Sequence, residues 1–355
     1  MRPQQEFVLP APLPLEGGGA LAGVRVAYRT WGTLNAARSN VVWVCHALTG
    51  DADCAAWWAG LLGPGFLYDP ARWFVVCANI LGSCSGSTGP LDPDPATGEP
   101  RFQHFPRITI RDMVTAHEAL RHHLGLARVH TLIGGSLGGM QALEWAISKP
   151  RVFRHLVVVA AGARASAWSI GFNEAQRLAI EADPTYRAAL DGRGGRAGLR
   201  AARAIAMLSY RSYGAYTRGL TEPPNRHGLD DTPVPRQYRA GAYQQYQADK
   251  LVVRFNAYAY VALTHAMDSH HVGRGRGGTA AALARISART LVVGIPSDQL
   301  FPLREQQELT RLIPGAVLAE LPSAVGHDGF LLETARLARL ITQFYALLPA
   351  LPSLN

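Results

Sequence analysis

Ser136 lies in the run Gly134-Gly135-Ser136-Leu137-Gly138-Gly139, a match to G-x-S-x-G. A serine hydroxyl is a poor nucleophile at neutral pH. It becomes a competent one beside an imidazole that takes its proton and a carboxylate that sets the imidazole's tautomer. An apolar run, 129–133, leads into the glycines, and Met140, Leu143 and Ile147 follow at helical spacing. Strand, sharp turn and helix in that order predict a nucleophile elbow, where a Cβ at position 134 or 138 would strike the neighbouring strand or helix. Asp298 follows the apolar run 290–295, and His327 follows the run 317–321. The chain order Ser136, Asp298, His327 is the one that accompanies such an elbow. The other histidines, among them His46, His122, His123, His265, His270 and His271, stand elsewhere than in a loop after the last strand.

A parallel sheet, with loops at the carboxyl ends of its strands, must position these three residues. Residues 24–28 alternate as a strand does, with a turn in 29–35, while 41–45 and 74–80 are continuous apolar runs of the kind buried on both faces of a parallel sheet. A helix is expected from Arg111-Asp112 to about Leu124, and a further strand over 156–160. The loop after 41–45, HALTGD, and the residue after the nucleophile are where the two backbone N–H groups of an oxyanion hole are expected, at Leu48 and Leu137. The loop LGSCSGSTGP at 81–90 is built of small residues that permit close approach of a ligand. From 166 to 278 no strand-like run occurs. Helices are expected there over 173–183, 198–209, 243–253 and 257–267, with joints at 191–195 and 222–225. This predicts an α/β fold, a mostly parallel sheet flanked by helices, with a catalytic core of 1–165 and 279–355 and an inserted helical lid of 166–278. A final helix is expected over about 330–348.

Composition excludes several other classes. A chain of 355 residues is long enough for one large core with an insertion. No run approaches the ~18–20 apolar residues of a membrane span, and the first residues, MRPQQEFVLPAPLPLEGG, lack the apolar centre of a signal peptide. A cytoplasmic protein is the expectation. The formal charge is +9, but the basic residues other than Lys149 and Lys250 are arginines scattered along the chain. No nucleic-acid surface is expected, whereas a basic rim would suit a polyanionic small molecule such as a coenzyme. Cys45, Cys54, Cys77 and Cys84 have no metal-ligand spacing, so reduced thiols and no metal are expected.

The segments AYRTWGTLN, HALTGDAD, NILGSCSGSTGP, FPRITIRDMV, GGSLGGMQALEWA, AMLSYRSY, MDSHHVGRG, SDQLFP and GHDGFL, in that order over the whole chain, resemble the homoserine O-acetyltransferases of methionine biosynthesis. The resemblance implies an α/β-hydrolase fold and a homodimer formed through the lid. It implies a ping-pong reaction in which the serine takes an acetyl group from acetyl-CoA and passes it to the γ-hydroxyl of L-homoserine, with no bound cofactor or metal. It also implies that Arg211 pairs with the homoserine carboxylate and Asp328 with its ammonium, roles that a planar guanidinium and a carboxylate suit. Relatives that use succinyl-CoA tend to carry an arginine two residues after the catalytic aspartate. Here that position is Leu300, which offers a second carboxylate no partner and so favours acetyl. Two lid segments depart from the family pattern, RFNAYAYV and MDSHHVGRG, with Asn256 and His271 where carboxylates are usual. An ester or thioester hydrolase with the same triad, a succinyl donor and a serine acceptor are the alternatives.

Overall fold

Unbroken apolar runs need cover on both faces, and the central strands have it. In the computed structural model, which describes residues 4–188, 191–221 and 238–347, the first two strands of the main sheet are β1 (Gln5–Val8) and β2 (Arg25–Trp31), and Leu13–Pro14 pairs with Ala20–Leu21 in a small separate sheet. Next come β3 (Val41–Cys45) and β4 (Phe74–Ala78), buried at every residue. The remaining strands are β5 (Val129–Gly135), β6 (Phe153–Val159), β7 (Arg289–Gly294) and β8 (Val317–Glu320). They form one sheet in the order β1-β2-β4-β3-β5-β6-β7-β8. The β1–β2 and β2–β4 pairs are antiparallel, and the other neighbours are parallel. The carboxyl ends of β3, β5, β7 and β8 therefore open on one edge.

One face of the sheet is covered by α1 (Ile110–His123) and α2 (Leu137–Ser148), whose Met113, Leu120, Met140 and Leu143 are fully buried. Inserted between β6 and β7, where the lid is expected, are α3 (Ala167–Glu181), α4 (Arg196–Tyr210), α5 (Tyr213–Leu220), α6 (Arg239–Val252) and α7 (Ala257–Asp268). After the lid come α8 (Leu303–Leu312) and α9 (Thr334–Ala346). Helix α9 covers the other face with Leu337, Ile341 and Phe344. Among the described residues no helix is long and apolar enough to cross a membrane.

Several boundaries differ from the sequence expectation. The strand over 24–28 runs on to Trp31, because Tyr28 to Trp31 pair with β4. The strand in the run 74–80 ends at Ala78: Asn79 still donates its N–H to the Ala27 carbonyl of β2 at 2.8 Å, while its side-chain oxygen accepts from Ala52 N–H. The final helix is two helices, Gly329–Leu332 and Thr334–Ala346, separated at Glu333. Helices α5 and α8 stand where the sequence pattern suggested none. The joint at 222–225 lies outside the described residues. The two family departures keep an acceptor in place: Asn256 caps α7 by accepting from Ala259 N–H at 2.8 Å, a position where Asn and Asp serve equally, and His271 Nδ1 accepts from Gly273 N–H at 3.1 Å.

Candidate active site

Ser136 connects β5 to α2 with φ 56° and ψ −125°, a conformation that costs a non-glycine residue about 1–3 kcal/mol. Its neighbours hold it there. Ser136 N–H donates to Val159 O at 3.0 Å, and its carbonyl accepts from Met140 N–H at 3.1 Å. A Cβ on Gly134 would lie 2.2 Å from Gly138 O, and one on Gly138 would lie 2.1 Å from Cys45 O. The end of β3 is thereby pressed against the first turn of α2. That contact brings together the two expected oxyanion groups. Leu137 is the first residue of α2, where no intrahelical acceptor exists for its N–H. Leu48 N–H, in the loop after β3, has no hydrogen-bond partner among the described residues. Gln141 braces the pair by donating from Nε2 to His46 O at 3.1 Å and to Leu137 O at 3.2 Å.

Asp298 and His327 meet at 2.7 Å, with His327 Nδ1–H donating to Asp298 Oδ2. The other carboxylate oxygen accepts from the N–H groups of Leu300 and Phe301 at 2.8 and 2.9 Å, so the aspartate cannot swing away. Both residues are buried. Burial alone would lower the His327 pKa, but the Asp298 charge and hydrogen bond, with the Asp328 charge, outweigh it and the net shift is upward. Three aromatic rings enclose the imidazole: Phe301 at 5.3 Å, Phe330 at 5.5 Å and Tyr210 at 5.8 Å. Phe330 also joins the histidine to the elbow, since a Cβ on Gly135 would sit 2.7 Å from its ring.

The helical insertion reaches this site through residues 210–212. Ser212 N–H donates to Val325 O at 2.8 Å, and Asp328 N–H donates to Tyr210 O at 3.1 Å. A Cβ on Gly326, which has φ 97°, would be 2.6 Å from Ser212 N. The loop carrying His327 and the end of α4 are therefore in backbone contact. Arg211 and Asp328 face each other there, with Nε 3.1 Å from Oδ2. Asp328 precedes the short helix Gly329–Leu332, yet its side chain makes no capping hydrogen bond. Leu300 is 5% exposed and packs in the apolar core beside Asp298.

Sequence reasoning passed over Tyr210, Phe301, Phe330, Gln141 and the brace at His46. Phe301 and Phe330 stand three residues after Asp298 and His327, and Tyr210 directly precedes Arg211, a signal that could have marked them. His46 is a buried neutral imidazole: Nδ1–H donates to Ala47 O at 2.8 Å, Nε2 accepts from Ile80 N–H at 3.1 Å, and burial lowers its pKa. It ties the loop after β3 to the loop after β4. Among the described residues no group of three or more His, Cys, Asp or Glu is placed to hold a metal ion.

A strained serine between the fifth strand and a helix, a buried Asp–His pair in the loops after β7 and β8, and this strand order define an α/β hydrolase, and the model of the alpha/beta hydrolase fold matches residues 40–334. The chain is 46% identical over 345 residues to the homoserine O-acetyltransferase of Chlorobaculum tepidum, covering 96% of this chain and 94% of that one. It belongs to the homoserine O-acetyltransferase family. Among solved structures, the homoserine O-acetyltransferase of Bacillus anthracis superposes with a TM-score of 0.87 at 23% identity, covering 96% of this chain and 97% of that one. Esterase E22 reaches the same TM-score, 0.87, at 24% identity, covering 96% and 99%. The fold is thus shared with a protein described as a homoserine O-acetyltransferase and with one described as an esterase.

Proposed function

We propose that this enzyme transfers the acetyl group of acetyl-CoA to the γ-hydroxyl of L-homoserine, with Ser136, His327 and Asp298 as its catalytic triad. The observation that carries the reading is the Arg211–Asp328 pair beside His327. A guanidinium and a carboxylate at that spot match the two charges of an amino-acid acceptor, whereas a hydrolase of neutral esters has no use for either.

In the first half-reaction His327 Nε2 takes the Ser136 Oγ proton as Oγ bonds to the thioester carbonyl carbon. The carbonyl oxygen becomes an oxyanion, which the N–H groups of Leu48 and Leu137 receive. The C–S bond then breaks, and the departing sulfur takes the proton from His327. In the second half-reaction the acceptor hydroxyl gives its proton to His327 and its oxygen bonds to the acyl carbon. The bond to Ser136 Oγ breaks, and Oγ recovers the proton. His327 carries every proton and the backbone N–H groups hold the oxyanion, so acetyl-CoA is a co-substrate and no bound cofactor or metal is called for. Leu300, apolar and beside Asp298, supports acetyl over succinyl as the group carried. A cytoplasmic homodimer joined through the lid completes the reading. Its support is the exposed Trp168, Leu178, Leu208, Tyr213, Tyr246 and Val253 on or beside lid helices, and the free thiols Cys45, Cys54 and Cys77 in the interior.

The test is mass spectrometry of the protein mixed with acetyl-CoA alone, which should show one acetyl group on Ser136 and none in Ser136→Ala. Steady release of CoA should then require homoserine. Steady release without an acceptor would make the enzyme a hydrolase, and an adduct elsewhere would remove Ser136 from its role. The same assay with succinyl-CoA and with L-serine ranks donor and acceptor.

A further inference from the structure

We propose that Arg203 and Arg254 bind the phosphate groups of the acyl donor, at the outer end of a basic track that begins at His327; the proposal rests on the donor being a coenzyme A thioester. Arg203, on α4, has its guanidinium carbon 5.4 Å from the centre of the Tyr210 ring, and that ring stands 5.8 Å from the His327 imidazole. Arg203 Nε is buried without a hydrogen-bond partner, and no carboxylate pairs with this arginine among the described residues. The face of a tyrosine is a weak partner for a guanidinium whose Nε is buried.

Arg254 comes next along the track. It follows α6 and donates from Nη1 to Thr49 O at 2.5 Å, in the loop that carries Leu48. Burial and then the charge of Arg203 both depress its pKa, with Asp51 and Cys84 acting in the opposite direction. Arg254 also lines a cavity of about 280 Å³ with Cys84, Asn256, Arg193 and Arg196. Arg193 is already paired with Asp191, and Arg196 donates to Val252 O at 2.6 Å. Arg196, Arg203 and Arg254 thus have no carboxylate partner among the described residues, and of these Arg203 touches Tyr210 beside the catalytic histidine and Arg254 touches the loop that carries Leu48. The two guanidinium groups repel each other with the charge of Asp51 opposing them, and an anion from outside relieves that repulsion. The geometry calls for a ligand with an apolar reactive end at Ser136 and a polyanionic far end. Coenzyme A has its phosphates at the end remote from the thioester.

The experiment compares acetyl-CoA with S-acetylpantetheine, which carries the same thioester without the nucleotide phosphates, by following acetylation of Ser136. In Arg203→Gln and Arg254→Gln the ratio of kcat/KM for acetyl-CoA over S-acetylpantetheine should fall about tenfold for each arginine lost, the usual effect of removing a charge-assisted hydrogen bond. In the unaltered enzyme the KM for acetyl-CoA should rise with ionic strength while that for S-acetylpantetheine stays level, a readout that needs no variant. A ratio unchanged in folded variants, or equal salt dependence for the two donors, overturns the proposal. If neither donor acetylates the unaltered enzyme, the acetyl-transfer reading itself fails, and that result is distinct from a failure of the two arginines.

Discussion

The Nε of Arg211 lies 3.1 Å from Oδ2 of Asp328, and the pair joins the end of lid helix α4 to the residue after His327. Both side chains are largely buried, at 23% and 16% exposure. Without an acceptor each is the other's partner. A zwitterionic amino acid can replace this single ion pair with two, its carboxylate on the arginine and its ammonium on the aspartate. Backbone contacts at 210–212 and 325–328 fix both residues, so in the proposed reaction the pair is in place before the acceptor arrives.

Arg211→Ala should therefore damage the second half-reaction far more than the first. Loss of a bidentate charge-assisted contact costs about 2–4 kcal/mol, roughly 30- to 1,000-fold in kcat/KM for homoserine. An acceptor alcohol without the carboxylate should separate mutant from wild type poorly. Loss of the CoA burst in the absence of homoserine would move Arg211 to the donor site or to lid folding.

The pH profile of Ser136 acetylation should have an acidic-side limb set by His327. The imidazole must be neutral to accept the serine proton, and its pKa is raised, so the rate should fall as pH drops through a value above the ordinary ~6.5. Asp298→Asn removes the largest raising influence. It should carry the limb to lower pH and reduce the rate by roughly 10³- to 10⁴-fold, since the tautomer is no longer held. A rate that is flat down to about pH 5 in the unaltered enzyme would exclude histidine as the base.

Leu300→Arg should raise the use of succinyl-CoA relative to acetyl-CoA. The position is 5% exposed, so an unpaired guanidinium there should also lower the Tm, and succinyl-CoA should restore more of that loss than acetyl-CoA does. An equal donor ratio in mutant and wild type would assign the choice to another wall of the pocket.

Gly138→Ala should destabilise the fold by about 1–3 kcal/mol or more, since its methyl group would lie 2.1 Å from Cys45 O in a contact between two backbone segments. Gly171→Ala is the control: nothing lies within 4 Å of its Cβ, and Ala is the better residue in a helix by up to ~1 kcal/mol. Urea unfolding of the two variants should move the midpoint in opposite directions.

The amino-acid order alone determined the alternation of strands and helices, the elbow at Ser136, and the loops that hold Asp298 and His327. Each of these depends on patterns within about ten residues: a β-branched run, a cluster of glycines, helical spacing. Boundaries were less legible where a distant partner sets them, as when pairing with β4 extends β2 to Trp31 or the Asn79 side chain serves Ala52.

Tertiary structure alone decided which side chains surround the imidazole and what the lid contributes. Tyr210 reaches His327 across more than a hundred residues, Arg211 faces Asp328 over a similar span, and Arg203 meets the ring of Tyr210, its one partner among the described residues. The physical reason is range. Hydrogen bonds within a turn or a helix are written in neighbouring residues, whereas a contact between the inserted lid and the core arises only when both have packed and their remaining polar groups must find partners across the gap.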